Sequence, residues 1–320
     1  MNTPRIQEGM RRTLTNKKTL LRTLQKYKFY YLLALPGILY LLIFKYGPMF
    51  GLVIAFKDYD PYSGVAGIFA SPWVGFANFN KFFESYYFGR IMGNTLIISM
   101  YKLLFGFPAP ILFALLLNEL RGKRFKKTVQ TISYIPHFIS WVIVAAMLSS
   151  LLTTDNGMIN VILNRCGLRS ISFLTNPKYF RTVLVLSDIW KSIGFGSIVY
   201  LAAITGVDQE QYEAADIDGA NRLQRILYIT LPSISSVVVI MLIFRVGGLL
   251  DAGFEQVFLL YSPSVYKTAD IIDTFVYRVG LEEHDYSYSV AVSFFKSVVA
   301  AVLLLSANFI SRRISDEGIW

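Results

Sequence analysis

The chain is poor in the residues from which metal centres and disulfide frameworks are built. Its 320 residues include one cysteine, Cys166, and two histidines, His137 and His284. A single cysteine excludes a disulfide framework and a zinc site made of cysteines. Two histidines exclude a histidine-rich metal centre. We therefore expect this chain to hold no metal and no other cofactor of its own.

Charged residues are scarce as well. Asp, Glu, Lys and Arg make up 16% of the chain, whereas hydrophobic residues make up 54%. Soluble domains contain about 25% charged residues, so this composition argues against a soluble enzyme and, more strongly, against a disordered chain. The formal net charge of +10 then calls for a membrane explanation before a nucleic-acid one. We expect an integral membrane protein in contact with the lipid bilayer and no nucleic acid.

Long apolar segments are what the sequence has in abundance. A helix needs about 20 mostly apolar residues to cross the hydrocarbon core. The qualifying segments are too long for sheet strands and do not alternate strictly, which argues against a transmembrane barrel. We expect an all-α integral membrane protein with a transmembrane domain over residues 29–310. Its six expected spans are 29–56, 94–118, 128–152, 182–205, 233–254 and 291–310.

The positions of lysine and arginine predict the orientation. Eight of the 31 lie in residues 1–28, and five more lie in residues 121–127 between the second and third spans. Because such residues concentrate in cytoplasmic segments, both termini are expected in the cytoplasm (N-in/C-in), including the tail 311–320. The basic segment 1–28 is either an amphipathic segment on the anionic cytoplasmic leaflet or a solvated, disordered tail.

The segment between the fourth and fifth spans, residues 206–232, contains five acidic residues and two arginines, unlike the other cytoplasmic segments. Asp208 is placed to cap a first helix with Gln211 as its reciprocal partner. Gly219 can end that helix in the left-handed conformation, and Asn221 can cap a second one. The pattern predicts two short helices joined by a glycine elbow, which is typical of a docking element.

The same segment carries a motif with fixed spacing. Glu-Ala-Ala is followed after three residues by a glycine, and after nine more by Ile-x-Leu-Pro. This resembles the EAA loop of permease subunits of binding-protein-dependent ABC importers, and Asp-Gly-Ala at its centre resembles the sugar-type version. The motif residues are Glu213, Ala214, Ala215, Asp218, Gly219, Ala220, Ile229, Leu231 and Pro232.

The resemblance extends over most of the chain from about residue 30 to residue 310. The segments 269–280 and 286–296 are similar to the complex-polysaccharide, LplB/YteP-like branch of the MalF-like permeases of sugar importers. One departure is Ile226, where sugar permeases often carry phenylalanine. The further matching tripeptides are Asn94-Thr95-Leu96, Tyr134-Ile135-Pro136 and Ile193-Gly194-Phe195.

The resemblance implies a type I ABC importer permease fold with cytoplasmic coupling helices, in a bacterial cytoplasmic membrane. It implies that residues 206–232 insert into a dimer of ATP-binding-cassette ATPases, which bind ATP and Mg. It further implies a second homologous permease, an extracellular solute-binding protein and an oligosaccharide substrate. The chain itself has no G-x-x-x-x-G-K-[ST] motif, since Leu117 stands where the first glycine before Gly122-Lys123 would be. ATP hydrolysis is therefore expected on a partner chain, and this chain is not expected to be an enzyme. Because the family usually uses two permease chains, the resemblance implies that this chain forms half of the pore.

Ionisable residues inside the spans are functional candidates because they cost at least about 2.5 kcal/mol each at the membrane centre. Asp188 and Lys191 share a helix face, and they form either a structural ion pair or part of a substrate path with Trp190 as a stacking platform. Arg245 requires a carboxylate, a water-filled cavity or an acidic ligand. The complete set is Lys45, Lys102, Asp188, Lys191, Arg245, Asp251 and Lys296.

Five of these charges are basic and two are acidic, which suits an acidic, uronic-acid-containing oligosaccharide. Neutralisation by the partner permease explains the surplus equally well. His137 and Trp141, four residues apart, either line the same cavity or pack against a neighbouring helix.

Two other classes of function stay open at this point. An ion-coupled secondary sugar transporter would carry protons through Asp188 or Asp251, and such transporters are usually built from internal repeats. A membrane-embedded enzyme would need a cluster of nucleophilic or metal-binding side chains.

Overall fold

The structure is a computed structural model that describes residues 25–315. Residues 1–24 of the expected basic segment and residues 316–320 of the expected tail lie outside that range. Among the described residues the regular structure is helical, apart from one isolated antiparallel bridge between Lys57 and Trp73.

The helices follow one another with short connections. In chain order they are α1 (Lys28–Phe56), α2 (Gly64–Ala70), α3 (Ala77–Phe83), α4 (Phe88–Glu119), α5 (Lys123–Phe138), α6 (Trp141–Leu152), α7 (Met158–Arg165), α8 (Pro177–Thr205), α9 (Gln209–Ile217), α10 (Arg222–Ser233), α11 (Ser235–Gly247), α12 (Phe254–Leu260), α13 (Tyr266–Ala269), α14 (Ile272–Tyr277) and α15 (Tyr286–Ser315).

Four of these helices, α1, α4, α8 and α15, are long and apolar enough to cross a membrane. Two further pairs meet the same test only when taken together. They are α5 with α6, bent by 100°, and α10 with α11, bent by 65°. The described residues therefore contain four candidate spans, or six when each bent pair is counted as one.

The bent pairs change the bounds expected from the sequence. The segment 128–152 is not one helix, because α5 ends at Phe138 and α6 begins at Trp141 with the Ser140 hydroxyl accepting a hydrogen bond from the amide of Ile143. The segment 233–254 contains a helix only as far as Gly247, where two consecutive glycines end α11. Asp251 therefore lies beyond the end of this helix.

Helix starts also differ from the bounds of the apolar segments. α8 begins at Pro177, not at residue 182, because Asn176 caps it by accepting a hydrogen bond from the Lys178 amide. α4 begins at Phe88 and α15 at Tyr286. Hydropathy marks the part of a helix that suits lipid, whereas capping residues mark where the backbone becomes helical.

The centre of the bundle is α8, which packs against α4 and α5. One core cluster joins Ala114 and Leu117 of α4 to Leu201 and Ile204 of α8 and to Ile234 at the start of α11. A second core cluster lies at α3, the start of α4, α14 and α15, and includes Phe82, Ile91, Ile272, Phe275 and Val292.

α1 stands apart from this body. Every residue from 25 to 50 is exposed, and burial begins only at Ile54 and Ala55, which lie next to α3 and α15. An apolar surface of this size needs a cover of lipid or of another polypeptide.

The backbones of α8 and α5 approach each other closely at Gly194. A Cβ atom built on Gly194 would lie 2.0 Å from the carbonyl oxygen of Ser133. We expect Gly194→Ala to destabilise the fold by at least about 1–3 kcal/mol, because two helix backbones must move apart. The matched control is Gly93→Ala on α4, where nothing lies within 4 Å of the added atom. Thermal unfolding of the purified protein tests the pair, and equal midpoints would contradict the tight crossing.

Candidate functional site

The segment that carries the Glu-Ala-Ala motif forms two short helices joined at a glycine. α9 starts with the Asp208 carboxylate accepting from the Glu210 amide at 3.0 Å. The reciprocal hydrogen bond that was expected with the Gln211 side chain does not form. Gly219 has φ +76°, and the amide of Ala220 closes the end of α9 by donating to the carbonyl of Ala215 at 2.9 Å. The elbow therefore has the left-handed geometry that its sequence predicts.

Side chains tie the two helices into one body, which we call the coupling hairpin (residues 209–233). The hydroxyls of Tyr212 on α9 and Thr230 on α10 lie 2.8 Å apart. Asp216 on α9 forms an ion pair with Arg225 on α10. Asn221 caps α10 with Gln224 as its reciprocal partner, as expected. These contacts make the hairpin suited to moving as a rigid unit.

The motif residues divide between two faces. Glu213, Ala214, Asp218, Gly219 and Pro232 are exposed, whereas Ala215, Ala220, Ile229 and Leu231 are half-buried. Leu231 packs on the cluster that joins α4, α8 and α11, so this end of the motif fastens the hairpin to the body.

Two apolar residues on the exposed face were not singled out from the sequence. Ile217 is 87% exposed and Leu223 is 64% exposed, one on each side of the elbow. The available signal was an apolar residue beside the glycine in an otherwise polar segment. These two side chains give the hairpin exposed apolar surface on both sides of the elbow.

Inside the bundle, Asp188 of α8 is shared by two cations. Its Oδ1 lies 3.4 Å from the ammonium of Lys102, and its Oδ2 lies 3.7 Å from the guanidinium of Arg245. The ion pair between Asp188 and Lys191 considered in the sequence analysis does not form. At a spacing of three residues the two side chains do share a face, but the ammonium of Lys191 turns to backbone carbonyls instead.

Lys102 is the buried member of this group. It lies in a π-helical turn of α4 (Lys102–Gly106), its side chain is 5% exposed, and its ammonium donates to the Gln256 side chain of α12 at 2.6 Å. The amide of Gln256 in turn donates to the Leu184 carbonyl and the Ser187 hydroxyl, both at 2.8 Å. We call Lys102, Asp188, Arg245 and Gln256 the Asp188 cluster. It links α4, α8, α11 and α12.

Arg245 is held much more loosely. It lies in the last turn of α11, its side chain is 45% exposed, and its contact with Asp188 is longer than a hydrogen bond. Asp251 does not pair with it in the structure; an oxygen of Asp251 accepts from the amide of Gly253 at 3.2 Å. The guanidinium therefore has donors available for a ligand.

Lys191 caps the C-terminal end of α5, where the chain bends into α6. Its ammonium donates to the carbonyls of His137 at 2.7 Å and Ile139 at 2.6 Å, and it lies 5.5 Å from the centre of the Trp141 ring. The ring of His137 stacks on Phe195 of α8, with centroids 4.0 Å apart. Lys191 and His137 thus fix the 100° bend against α8.

Beside the bend is a cavity of about 460 Å³, which we call the Lys191 cavity. His137, Trp141, Asp188 and Lys191 line it, together with Glu255. Trp190 is not part of it, because it faces another side of α8 and lines an apolar cavity of about 470 Å³ between α6, α7 and α8. Of the predicted substrate-path residues, the structure therefore brings His137, Trp141, Asp188 and Lys191 together, with Arg245 beside Asp188. It places Trp190 and Asp251 in the walls of other cavities.

Comparison with known proteins now identifies the family. Residues 106–316 match the family described as "Binding-protein-dependent transport system inner membrane component". This chain belongs to that family. Its members are inner-membrane components of transport systems. Separately, among the described residues no group of His, Cys, Asp or Glu side chains is placed to hold a metal ion.

Two relatives from Bacillus subtilis (strain 168) are similar over nearly their whole length. The chain is 48% identical to Protein LplB over 297 residues, which cover 93% of this chain and 92% of the relative. It is 47% identical to the polygalacturonan/rhamnogalacturonan transport system permease protein YteP over 304 residues, covering 95% and 94%. The predicted placement among sugar-type permeases of the LplB/YteP-like branch is confirmed.

Two solved structures are also similar to this chain. The chain matches, at 45% identity and a TM-score of 0.86, a chain of a bacterial ABC transporter involved in the import of the acidic polysaccharide alginate, covering 93% of this chain and 99% of that one. A second match, at 44% identity and TM-score 0.86, is to the alginate ABC transporter in complex with an alginate pentasaccharide-bound periplasmic protein, covering 94% and 99%. The all-helical permease fold expected from the motif is therefore present.

The bend between α5 and α6 depends on Lys191. We expect Lys191→Met to lower stability by about 1–3 kcal/mol, because the carbonyls of His137 and Ile139 lose a charged donor. Lys178→Met, at an exposed position of the same helix, should change stability by less than about 0.5 kcal/mol. Unfolding midpoints of the two variants would be compared, and equal effects would exclude a role for Lys191 in the bend.

Proposed function

We propose that this chain forms half of the translocation pore of an ATP-driven importer for acidic oligosaccharides or polysaccharide fragments. The observation that carries the proposal is the Asp188 cluster, in which two cations share one carboxylate and the more exposed cation keeps free donors. In this proposal the substrate carboxylate completes the coordination of Arg245. The Lys191 cavity, with His137, Trp141 and Asp188, accommodates the neighbouring sugar.

The chain crosses a bacterial cytoplasmic membrane with both termini inside. The distribution of lysine and arginine supports this orientation, as does the exposed position of the coupling hairpin. The long exposed helix α1 supports a contact with the second permease or with lipid. An extracellular solute-binding protein would deliver the sugar, as the alginate pentasaccharide-bound protein in the similar complex suggests for this chain.

The coupling hairpin docks on a dimer of ATP-binding-cassette ATPases, which bind ATP and Mg. Glu213 supplies a charge contact, while Ile217 and Leu223 supply exposed apolar surface beside the elbow. α10 continues through Ile234 into α11, which ends next to Arg245. Closure of the ATPase pair would therefore move the hairpin and α11 together and shift Arg245 relative to Asp188.

The elbow offers a test of docking at one position. Gly219→Pro should remove the ATPase from the purified complex, because proline holds φ near −65° and cannot adopt the observed +76°. Gly219→Asn is the matched control, since asparagine tolerates the left-handed conformation and no atom lies within 4 Å of an added Cβ. Affinity purification through a tag on this chain measures the retained ATPase. Full retention by Gly219→Pro would contradict docking through the hairpin.

The substrate class is tested at Arg245. We expect Arg245→Gln to lower uptake of uronic-acid oligosaccharides about ten- to hundredfold, because a charge-assisted hydrogen bond is lost. The same substitution should have little effect on uptake of these oligosaccharides once their carboxyls have been reduced to alcohols. Arg165→Gln, at an exposed position of α7, is the control for overall charge. Equal loss for both forms of the sugar would exclude recognition of the carboxylate.

The ion-coupled alternative makes a different prediction for energy use. It requires Asp188 or Asp251 to carry a proton, and it predicts uptake into membrane vesicles that contain no ATP. The ATP-driven importer predicts no accumulation in such vesicles until ATP is supplied inside.

A further inference from the structure

Another cavity, of about 550 Å³, lies between α14, α15 and the turn that connects α11 to α12. We call it the Tyr277 cavity. None of the residues that line the Lys191 cavity lines this one. Its wall combines three aromatic rings with three charged side chains. The members that matter here are Asp251, Phe254, Asp273, Tyr277, Tyr286 and Lys296.

The charged part of the wall is an accessible ion pair. The ammonium of Lys296 on α15 contacts both carboxylate oxygens of Asp273 on α14, at 2.6 and 2.7 Å, and the two side chains are 21% and 22% exposed. Ser293 lies one turn before Lys296 on the same face of α15 and also lines the cavity. Polar groups on a membrane-spanning helix are costly where they face lipid, so this face of α15 borders water, a polar ligand or another polypeptide.

The aromatic part of the wall belongs to a longer row of rings. Phe254 and Phe258 of α12 both contact Tyr277, with centroids 5.9 and 4.6 Å apart. Phe258 then contacts Tyr261, which stacks on Tyr266 at 5.0 Å. All five rings are half-buried and so expose part of their surface.

The far end of the row borders a third cavity, of about 540 Å³. Tyr266 lines it and lies 5.2 Å from the guanidinium of Arg278, which lines it too. The row of rings therefore connects two cavities whose walls each include charged side chains. Ordinary core packing would bury these rings, whereas here each keeps an accessible side.

A sugar ring has the complementary pattern of surfaces. Its faces present C–H groups that pack on aromatic rings, and its rim presents hydroxyls that bond to carboxylates and amines. A cavity of 550 Å³ is also within the range that binds small ligands. Asp251 lines the cavity and lies six residues after Arg245 in the sequence. One wall of the cavity is therefore close in sequence to the Asp188 cluster.

We propose that the Tyr277 cavity is a separate saccharide subsite, in which a sugar ring packs on Phe254 and Tyr277 and its polar groups bond to Asp273 and Lys296. This inference rests on the proposed function as an oligosaccharide permease and adds a subsite to it. In this proposal the subsite holds one sugar ring of the oligosaccharide while another ring of the same oligosaccharide occupies the Lys191 cavity.

The first test uses the complete transporter and uronic-acid oligosaccharides. Tyr277→Leu should raise the half-saturating concentration for uptake about tenfold, since it removes the ring face, whereas Tyr277→Phe should behave like the wild type. ATPase retention should be the same in both. An unchanged half-saturating concentration for Tyr277→Leu would overturn the subsite.

The second test needs no aromatic substitution and so does not depend on the stability of Tyr277→Leu. In a Cys166→Ser background, Ser293→Cys should react with a water-soluble thiol reagent, and a saturating uronic-acid oligosaccharide should slow that reaction at least about tenfold. Ser264→Cys, at an exposed position outside the cavity, should react at the same rate with and without sugar. Equal rates for Ser293→Cys with and without sugar would overturn the subsite.

The wild-type transporter separates the two levels of the account. If the wild type imports the oligosaccharide with ATP but Tyr277→Leu and Ser293→Cys do not respond, only the subsite is refuted. If the wild type imports no oligosaccharide, the proposed function and the subsite are refuted together.

Discussion

The shared carboxylate of Asp188 is the interaction on which the interior of this bundle depends. A lysine with its side chain 5% exposed cannot stay charged in an apolar bundle without a counter-charge and hydrogen bonds. Asp188 supplies the first and Gln256 the second, and these groups come from three different helices. The same carboxylate also faces Arg245, so the contact that stabilises the fold also sets the charge environment of the exposed guanidinium.

Two bent helix pairs, α5 with α6 and α10 with α11, run between this interior and the surface of the protein. The break between α5 and α6 is fastened to α8 by Lys191, which keeps the cavity beside Asp188 open. The break between α10 and α11 separates the coupling hairpin from the helix that carries Arg245 in its last turn. A displacement of the hairpin would therefore reach Arg245 through α11. Irregular backbone of this kind in membranes occurs where it borders protein or water.

The helical membrane class and the coupling hairpin were predictable because both depend on local signals. Run length and hydropathy indicate the spans, and the caps at Asp208 and Asn221 with Gly219 indicate the hairpin. The interior was less predictable. Spacing along one helix suggested a pair of Asp188 with Lys191, but both found partners on other helices, and such tertiary contacts leave no local pattern. The position of Trp190 on another side of α8 was predictable, because residues one or two positions apart on a helix face different directions.

A double-mutant cycle on Asp188 and Lys102 tests the central interaction most directly. Asp188→Asn, Lys102→Met and the double variant would be compared with the wild type by their free energies of unfolding. The account predicts that the double variant is more stable than Asp188→Asn alone, with a coupling energy of about 1–3 kcal/mol, because the second change removes a charge left buried without its partner. Additive losses would contradict it.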